Sequence, residues 1–304
     1  MPGSDRLETS SMTLMQNLLL AALVLAFAAV EIGTRSYRRY TATPDDTRLE
    51  LFMFLSLIAV SQPLAFAVTG KLAALAMPGW RGAWAHWPWW AMAAALLVGD
   101  DLTQYLWHRA SHTPLLWPLH RAHHTAHYMS IRVTYRNNFF YYAMMPGLWI
   151  SGLLVYLGLG QAYVAYVVLK LAVIMGAHSA VPWDAPLYRI RALRPLAWIL
   201  ERTISTPATH RAHHALTNED GIGHYKGNFG NLLFVWDVLL GTAKITRRYP
   251  PQVGLLDDQL FGKERWYVEM FYPLVQSRRS HSALVRGGRA WAGEPVPGKP
   301  AAPR

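Results

Sequence analysis

The apolar residues of this 304-residue chain are gathered into long runs, and these runs restrict the folds that the chain can adopt. Hydrophobic residues make up 52% of the sequence and charged residues only 15%. Residues 12–32 form a run of about 20 residues, long enough to cross a hydrocarbon layer of ~30 Å. Further apolar runs occupy residues 49–68, 91–98, 139–159 and 161–177. This distribution indicates helices that span a membrane rather than the core of a soluble protein.

The flanks of the runs support the same interpretation. No basic cluster precedes residues 12–32 and no clean cleavage site follows them, which favours an uncleaved span over a signal peptide. Five tryptophans between residues 80 and 90 are typical of a membrane interface, with a soluble aromatic core as the alternative. Residues 139–177 predict a membrane hairpin that turns at Gly158 and Gly160. The fold class expected is therefore all-α, a polytopic bundle of about 4–5 spans.

The histidines form a second pattern, which predicts metal binding. Residues 108–124 read H-R-A-S-H-T-P-L-L-W-P-L-H-R-A-H-H, and H-R-A-H-H recurs at residues 210–214. On a helix, side chains at spacings i, i+3 and i+4 share one face, so each motif presents its imidazoles together. Unrelated histidines rarely produce two identical triplets. The candidate ligands are His108, His112, His120, His123, His124, His210, His213 and His214.

The ligand type limits the metal. The chain has no cysteine, which excludes thiolate zinc sites and iron–sulfur clusters and leaves nitrogen ligands. Eight imidazoles are more than one tetrahedral ion can use. Two ions, each with a position open to water or dioxygen, fit this number better.

The order of the motifs resembles the membrane fatty acid hydroxylase and sterol desaturase superfamily. Its members are oxygen-dependent, non-haem di-iron enzymes that act on lipids. Three segments carry the resemblance: D-L-T-Q-Y-L-W-H-R-A-S-H (101–112), T-P-A-T-H-R-A-H-H (206–214) and N-F-G-N-L-L-F-V-W-D-V-L-L-G-T (228–242). It covers roughly residues 100–249. Val238 departs from the family's usual arginine, and Asn138 stands where many relatives carry histidine.

The resemblance implies further site residues. His178 stands where relatives place a single middle histidine, which makes it the ninth expected ligand. Asn138 is an additional candidate because of the position it takes in the resemblance. Two further candidates come from the spacing alone: His127 lies seven residues after His120, and His224 follows the second triplet across a glycine-containing turn.

Three residues are expected to support the metal site without binding the ions. Asp101 and Tyr105 precede His108 on one helical stripe, and Asp237 follows the second triplet. A carboxylate that accepts an imidazole N–H orients the ring. A simple interfacial charge is the alternative for Asp101, whereas Asp100 is expected to be solvated. Lys170, within an apolar run, is either functional or extended to an interface.

The expected organisation has four parts. Residues 1–11 form a polar N-terminus, residues 12–100 a transmembrane region, residues 101–249 the catalytic domain and residues 250–304 a basic region that is disordered from about Gly287. Lys and Arg favour the cytoplasmic side. The apolar runs predict an integral, multi-pass protein. The basic loop of Arg35, Arg38, Arg39 and Arg48 predicts its orientation, with the metal site in a helical cap on the cytoplasmic face.

The expected function is hydroxylation of a membrane lipid by a di-iron oxygenase that uses dioxygen. Desaturation by the same chemistry is the first alternative, and a histidine-lined metal transporter is an alternative from another class. A zinc hydrolase is a weaker option because H-E-x-x-H is absent.

The expected cofactors are two iron ions, with dioxygen as co-substrate. The chain has neither a cysteine cluster nor an H-P-G-G haem signature, so an external ferredoxin- or cytochrome-type donor must supply the electrons. The net charge of +11 does not predict nucleic-acid binding, because the basic residues lie between and after the apolar runs and form no basic stripe.

Overall fold

Helices account for the regular structure of the chain. The computed structural model describes residues 4–36, 42–279 and 282–285, and in these ranges it contains helices and two isolated bridges but no strand. The all-α class predicted from the sequence is confirmed. Arg38, Arg39, His281 and the tail from Gly287 lie outside the described residues.

The first apolar runs form helices α1 (Ser4–Gly33), α2 (Pro44–Ser56) and α3 (Gln62–Ala76). Helix α2 begins with a capping box, in which the side chains of Thr43 and Asp46 each accept a backbone N–H at the other position. A π-helical turn, Leu57–Ser61, joins α2 to α3 immediately before Pro63. Proline has no N–H and its ring crowds the preceding turn, and the wider turn accommodates both effects.

A second π-helical turn lies in the third apolar run, between α4 (Trp89–Leu96) and α5 (Thr103–Ser111). This turn, Leu97–Leu102, changes which residues face the interior. As a result the consecutive residues Asp100 and Asp101 are both buried. The expectation that Asp100 is solvated was wrong because a regular helical stripe does not allow for such a turn.

The predicted hairpin follows the first histidine triplet, which lies on α6 (Trp117–His124). It comprises α7 (Phe139–Ala143), α8 (Pro146–Leu154) and α9 (Gly160–His178). Gly158 has a φ of 114°, and a Cβ there would lie 2.7 Å from the Ala85 nitrogen. Glycine therefore permits both the turn and the close approach of the tryptophan-rich loop. The chain leaves the histidines before α7 and returns to them at His178.

The remaining helices are short. They are α10 (Ala185–Arg189), α11 (Arg194–Thr203), α12 (Pro207–His213), α13 (Val235–Leu239), α14 (Leu256–Phe261) and α15 (Trp266–Phe271). Helix α12 carries His210 and His213 of the second triplet. Helix α15 packs against α2, α6 and α7. The first part of the region after residue 249 is therefore folded onto the histidine-bearing helices.

Two helical segments are long and apolar enough to cross a membrane, Pro44–Ala76 and Phe139–His178, and Asn17–Gly33 is a shorter apolar helix. Most residues of the first segment are not buried within the protein, unlike those of a soluble core helix. Exposed large apolar side chains continue along α1, for example Leu25 and Ile32. The number of spans and the cytoplasmic orientation of the site stay predictions.

Candidate metal centre

All nine histidines expected as ligands meet at one end of the bundle, and all are buried. They form two groups, within each of which the candidate ligand atoms lie within 4.8 Å of one another. The first histidine group contains His108, His112, His120, His124 and His213. The second histidine group contains His123, His178, His210 and His214. The groups are adjacent, since the rings of His124 and His214 stack at 4.4 Å.

Each of the two H-R-A-H-H segments supplies ligands to both histidine groups. His120 and His124 of α6 belong to the first group, while His123 belongs to the second. In the other segment His210 and His214 belong to the second group and His213 to the first. The i and i+4 imidazoles of each helix therefore point to one group and the i+3 imidazole to its neighbour.

Several of the clustered histidines bind a backbone carbonyl through the ring nitrogen that faces away from the groups. His108 Nδ1 lies 2.7 Å from Phe229 O, and His213 Nδ1 lies 2.7 Å from Gly227 O. A neutral imidazole that donates from Nδ1 has a lone pair and no proton on Nε2. The two Nε2 atoms of His108 and His213 nevertheless lie 3.0 Å apart. Two lone pairs at this distance repel unless a cation lies between them.

The second group repeats this arrangement. His123 Nδ1 is 3.0 Å from Arg136 O and His178 Nδ1 is 2.8 Å from Ile174 O, while their Nε2 atoms are 3.3 Å apart. In the first group, His112 Nε2 is buried with no hydrogen-bond partner. Buried polar atoms normally have partners, so this nitrogen also indicates a ligand.

The spacing of the Nε2 atoms fits metal ions. Two nitrogens that bind one ion at about 2.1 Å, with about 90–105° between them, lie roughly 3.0–3.4 Å apart. The closest Nε2 pairs within the groups lie 2.9–3.3 Å apart. Each group therefore has the donor type and the spacing that an imidazole-bound ion requires.

The electrostatics of the site keep the imidazoles neutral. Burial, together with the neighbouring imidazoles, holds the pKa well below the usual range for His120, His123, His124, His210, His213 and His214. A proton on one ring would have to be buried next to other polar rings without a counter-charge. The rings are thus available as ligands near neutral pH.

One loop orients three members of the first group. The backbone of Tyr225 hydrogen-bonds to His112, and the carbonyls of Gly227 and Phe229 accept from His213 and His108. Asn228, between them, has a φ of 58°, and its side chain donates to the carbonyls of Thr209 and Lys244. Sequence reasoning did not find this role, because the contacting atoms are backbone carbonyls that any residue carries.

Asp237 supports this loop, not an imidazole. Its carboxylate accepts from the backbone N–H of Phe229 at 2.8 Å, from that of Gly230 at 2.6 Å and from Thr242 Oγ1 at 2.6 Å. Burial raises the pKa of the Asp237 carboxyl, and these hydrogen bonds oppose the rise. The buried Tyr105 hydroxyl lies 2.9 Å from Thr242 Oγ1 and extends the network.

Asp101 does not contact an imidazole either. Its carboxylate accepts from the backbone N–H of Leu232 and Leu233 and from Trp236 Nε1, at 3.3, 3.2 and 2.8 Å. The prediction that Asp101 and Asp237 each accept a hydrogen bond from a ligating imidazole is therefore wrong. Backbone N–H groups of the 229–233 segment lie between the carboxylates and the histidines, so both residues act on the site through this segment.

The three additional candidate ligands lie outside both groups. His224 Nε2 is 3.1 Å from Thr242 O, and His127 is exposed. The Asn138 amide donates to the carbonyls of Glu269 and Tyr272, and its oxygen accepts from Phe140 N at the start of α7. Asn138 therefore joins the hairpin to α15, a structural role that differs from the metal ligation expected of it.

Arg121, inside the first H-R-A-H-H, forms a buried ion-pair network that sequence reasoning missed. Its guanidinium contacts Asp258 of α14 and Glu269 of α15, and all three side chains are almost fully buried. An arginine fork pairs well with two carboxylates in such an interior. The C-terminal helices are thereby fixed behind the ligands of α6.

A cavity of about 680 Å³ opens onto the histidines. It lies between α1, the π-helical turn after α2 and the hairpin, with mainly apolar side chains such as Val24, Leu57 and Leu148 on its walls. His108 and His120 of the first group and His123 and His178 of the second all line its inner end. A ligand in the cavity therefore reaches both groups at once.

Comparison with known proteins identifies the family of the segment that carries the histidines. No solved structure matches the chain. Residues 93–242 match the family model described as fatty acid hydroxylase, and this range contains all nine clustered histidines together with Asp101, Tyr105 and Asp237. Through this segment the chain belongs to the fatty acid hydroxylase and sterol desaturase superfamily.

Proposed function

We propose that the protein is a membrane-bound, O2-dependent di-iron oxygenase that hydroxylates a lipid. The observation that carries the proposal is the junction of the apolar cavity with both histidine groups. A cavity of this volume and lining suits an alkyl or isoprenoid chain. Two nitrogen-ligated iron ions, when bound, supply the oxidising power needed to attack an unactivated C–H bond with dioxygen.

The residues of the chain position the reactants and exclude water. The loop from Tyr225 to Phe229 fixes three imidazoles of the first group, and Asp237 fixes that loop. The apolar walls hold the lipid chain against the inner end of the cavity and keep water away from it. An external ferredoxin- or cytochrome-type donor provides the electrons, since the chain has neither a cysteine cluster for iron–sulfur nor an H-P-G-G haem signature.

The arrangement favours an oxygenase over the two other classes. A transporter needs ligands at several depths along its spans, whereas the nine histidines meet at one end of the bundle. A zinc hydrolase usually has a carboxylate among or beside its ligands. Among the described residues, neither histidine group includes an aspartate or a glutamate.

Metal analysis and oxygen incorporation on the purified protein test the proposal. We expect iron bound to both groups and, with a lipid extract and a reducing system, a product that carries oxygen from isotopically heavy dioxygen. Loss of two hydrogens without incorporation of the label would indicate desaturation. Zinc in place of iron, or no consumption of dioxygen with any lipid, would overturn the proposal.

The proposed topology places the metal site on the cytoplasmic face of a multi-pass protein. Basic residues near the first spans support this orientation, among them Arg35 and Arg48. A reporter placed after His214 should read cytoplasmic, and one inserted near Gly79 should read the opposite side. The same reading at both positions would contradict the proposed arrangement of spans.

A further inference from the structure

Helix α11 has an apolar face that the protein does not cover. Ala197 and Glu201 lie four residues apart on the face that packs against the rest of the chain, and both are buried. The Glu201 carboxylate pairs with Arg247 at 2.7 Å, which fixes this face inward. Leu196 and Ile199 lie on a different face, and their side chains remain 45% and 52% exposed. An exposed apolar face indicates a partner when it belongs to a larger apolar surface.

A basic face lies beside the apolar one. Arg194 and Arg202 flank Trp198 at spacings of four residues, and the Arg202 guanidinium lies 4.7 Å from the centroid of the Trp198 ring. Arg189 and Arg191 precede α11, and both are exposed, as is Arg194. Residues 185–200 contain no aspartate or glutamate. The segment therefore carries positive charge that no acid within it compensates.

The exposed apolar surface continues from α11 onto α13 and toward a segment predicted to span the membrane. Helix α11 packs against α13, and Leu239 of α13 is 69% exposed. Helix α13 in turn contacts the α4–α5 segment, because Trp236 Nε1 donates to Asp101 at 2.8 Å. That segment exposes apolar side chains of its own, among them Val98 and Leu106. The uncovered faces of α11 and α13 thus adjoin a helix that is expected to lie in lipid.

This combination fits the surface of a membrane better than a soluble partner. A helix with apolar side chains on one face and arginines beside them lies in the interface, where the apolar face enters the acyl chains and the guanidinium groups reach the headgroups. Tryptophan is enriched at the same depth. Arginines near the surface also attract anionic headgroups. An acidic soluble protein would pair with the arginines but would not explain why the apolar face adjoins a predicted span.

We propose that α10, α11 and the end of α13 lie in the membrane interface and that their arginines bind anionic lipid headgroups. The inference rests on the membrane location in the proposed function, but it concerns the lipid surface around the protein and not the reaction. Six side chains form this interfacial patch, three that meet headgroups and three that enter the acyl chains: Arg189, Arg191 and Arg194, and Leu196, Ile199 and Leu239.

A single labelled cysteine tests where the interfacial patch lies. The chain has no cysteine, so Ile199→Cys gives one site for a fluorophore on the full-length protein. The protein is placed in nanodiscs whose phosphatidylcholine is brominated on the acyl chains, because bromine there quenches a fluorophore that lies among these chains. We expect strong quenching at Ile199→Cys and at Leu239→Cys. Glu219→Cys, at an exposed position in a polar loop, is the matched control and should be quenched by aqueous iodide instead.

The identity of the brominated lipid tests the headgroup preference. Nanodiscs of an equal mixture of phosphatidylcholine and phosphatidylserine are prepared with bromine on one lipid or on the other. Brominated phosphatidylserine should quench the Ile199→Cys fluorophore as though it were enriched about fivefold near the patch, the effect of about one arginine at an anionic surface. Added salt should reduce this enrichment, because it screens the charges.

Substitution of the arginines tests their role. Arg189→Gln, Arg191→Gln and Arg194→Gln together should make the two brominated lipids quench the Ile199→Cys fluorophore equally. Because the three side chains are exposed, the unfolding temperature should stay nearly unchanged. Arg265→Gln with Arg278→Gln is the matched control, since it removes two exposed arginines at and after α15 and should leave the preference for phosphatidylserine intact.

The outcomes separate this inference from the proposed function. Quenching by iodide and not by bromine at Ile199→Cys and Leu239→Cys would overturn the membrane contact and assign the face to another protein. Equal quenching by the two brominated lipids before the arginines are changed would overturn the binding of anionic headgroups. Both results would leave the proposed oxygenase reaction in place. Recovery of the protein in solution without lipid or detergent would overturn the membrane location on which both proposals rest.

Discussion

The two H-R-A-H-H segments have the same five residues but different surroundings. In both, the i and i+4 imidazoles approach one another, with Nε2 distances of 3.3 Å for His120 and His124 and 3.1 Å for His210 and His214. In both, the i+3 histidine binds a backbone carbonyl through Nδ1 and joins the other group. The ligand geometry is therefore a property of the motif itself.

The arginines show where the segments differ. Arg121 is buried and pairs with carboxylates of α14 and α15. Arg211 is only partly buried, donates to the carbonyls of Ser179 and Ala180 at 2.8 and 2.9 Å, and lies over the Tyr249 ring. The same residue thus anchors one segment to distant helices by charge and the other to the end of α9 by neutral contacts. Equal motifs do not imply equal contributions to stability.

The largest expected effect comes from two double substitutions of histidine. One removes two ligands of the same histidine group, and the other removes one ligand from each group. His123→Ala with His214→Ala removes two ligands of one group, so about one ion should remain per protein. His123→Ala with His124→Ala removes neighbours in the sequence that serve different groups, so both ions should be weakened.

Metal stoichiometry of the purified variants measures this difference, and oxidation should be absent from both double variants. The assignment of the ligands to the two groups would be refuted if the His123/His124 double variant kept one full ion and the His123/His214 double variant lost both.

Substitution of the arginines should give the next largest difference. Arg121→Ala leaves Asp258 and Glu269 buried without a cation and should lower the free energy of unfolding by about 3–5 kcal/mol. Arg211→Ala removes hydrogen bonds to backbone carbonyls and should cost only about 1.5–3 kcal/mol. Denaturant titration of the metal-free proteins in detergent measures both values. Equal losses would mean that the different surroundings of the two segments have no energetic consequence.

Asp237→Asn should affect the first histidine group more than the second. The amide keeps the size of the side chain but cannot accept equally from Phe229 N, Gly230 N and Thr242. The loop that orients His108 and His213 would loosen, and removal of such support typically weakens metal binding or activity ~10–100-fold.

Metal titration of the Asp237→Asn protein should show one weakened ion and one nearly unchanged ion. Equal weakening of both ions would show that the loop does not act selectively on the first group.

The smallest effects are expected at histidines outside the groups. His127→Ala and His86→Ala should change metal content and activity by less than about twofold, because neither side chain belongs to either group. His224→Ala should have a modest effect, since its ring contacts the Thr242 carbonyl next to the Asp237 network. Loss of an ion in the His127→Ala protein would contradict the ligand sets defined by the structure.

The sequence predicted the metal-site residues best where the signal is local. Spacings of three and four residues on short helices are sufficient to identify His120, His123 and His124, and the family resemblance added His178. The acids Asp258 and Glu269 were missed because nothing near them in the sequence indicates that they meet Arg121. Such a contact depends on how distant helices pack.

The same limit explains the error at Asp100. Regular helical periodicity separates Asp100 from Asp101, but the π-helical turn buries both. The turn follows from packing and is not visible in the order of residues. Likewise, the helical hairpin was predictable from apolar length and Gly158, whereas the carbonyls that orient the histidines were not.

The crossed ligand sets also have a consequence for biosynthesis. Four histidines of the first group lie within residues 108–124, whereas the second group takes its ligands from three separate segments between residues 123 and 214. On a chain emerging from the ribosome, most of the first group is complete long before His210 and His214 have been synthesised. We therefore expect the two ions to be acquired in order, the first by a local cluster and the second only after the chain has closed a long loop. A chain arrested at residue 205 should retain at most one ion, which gives this order of loading a direct measurement.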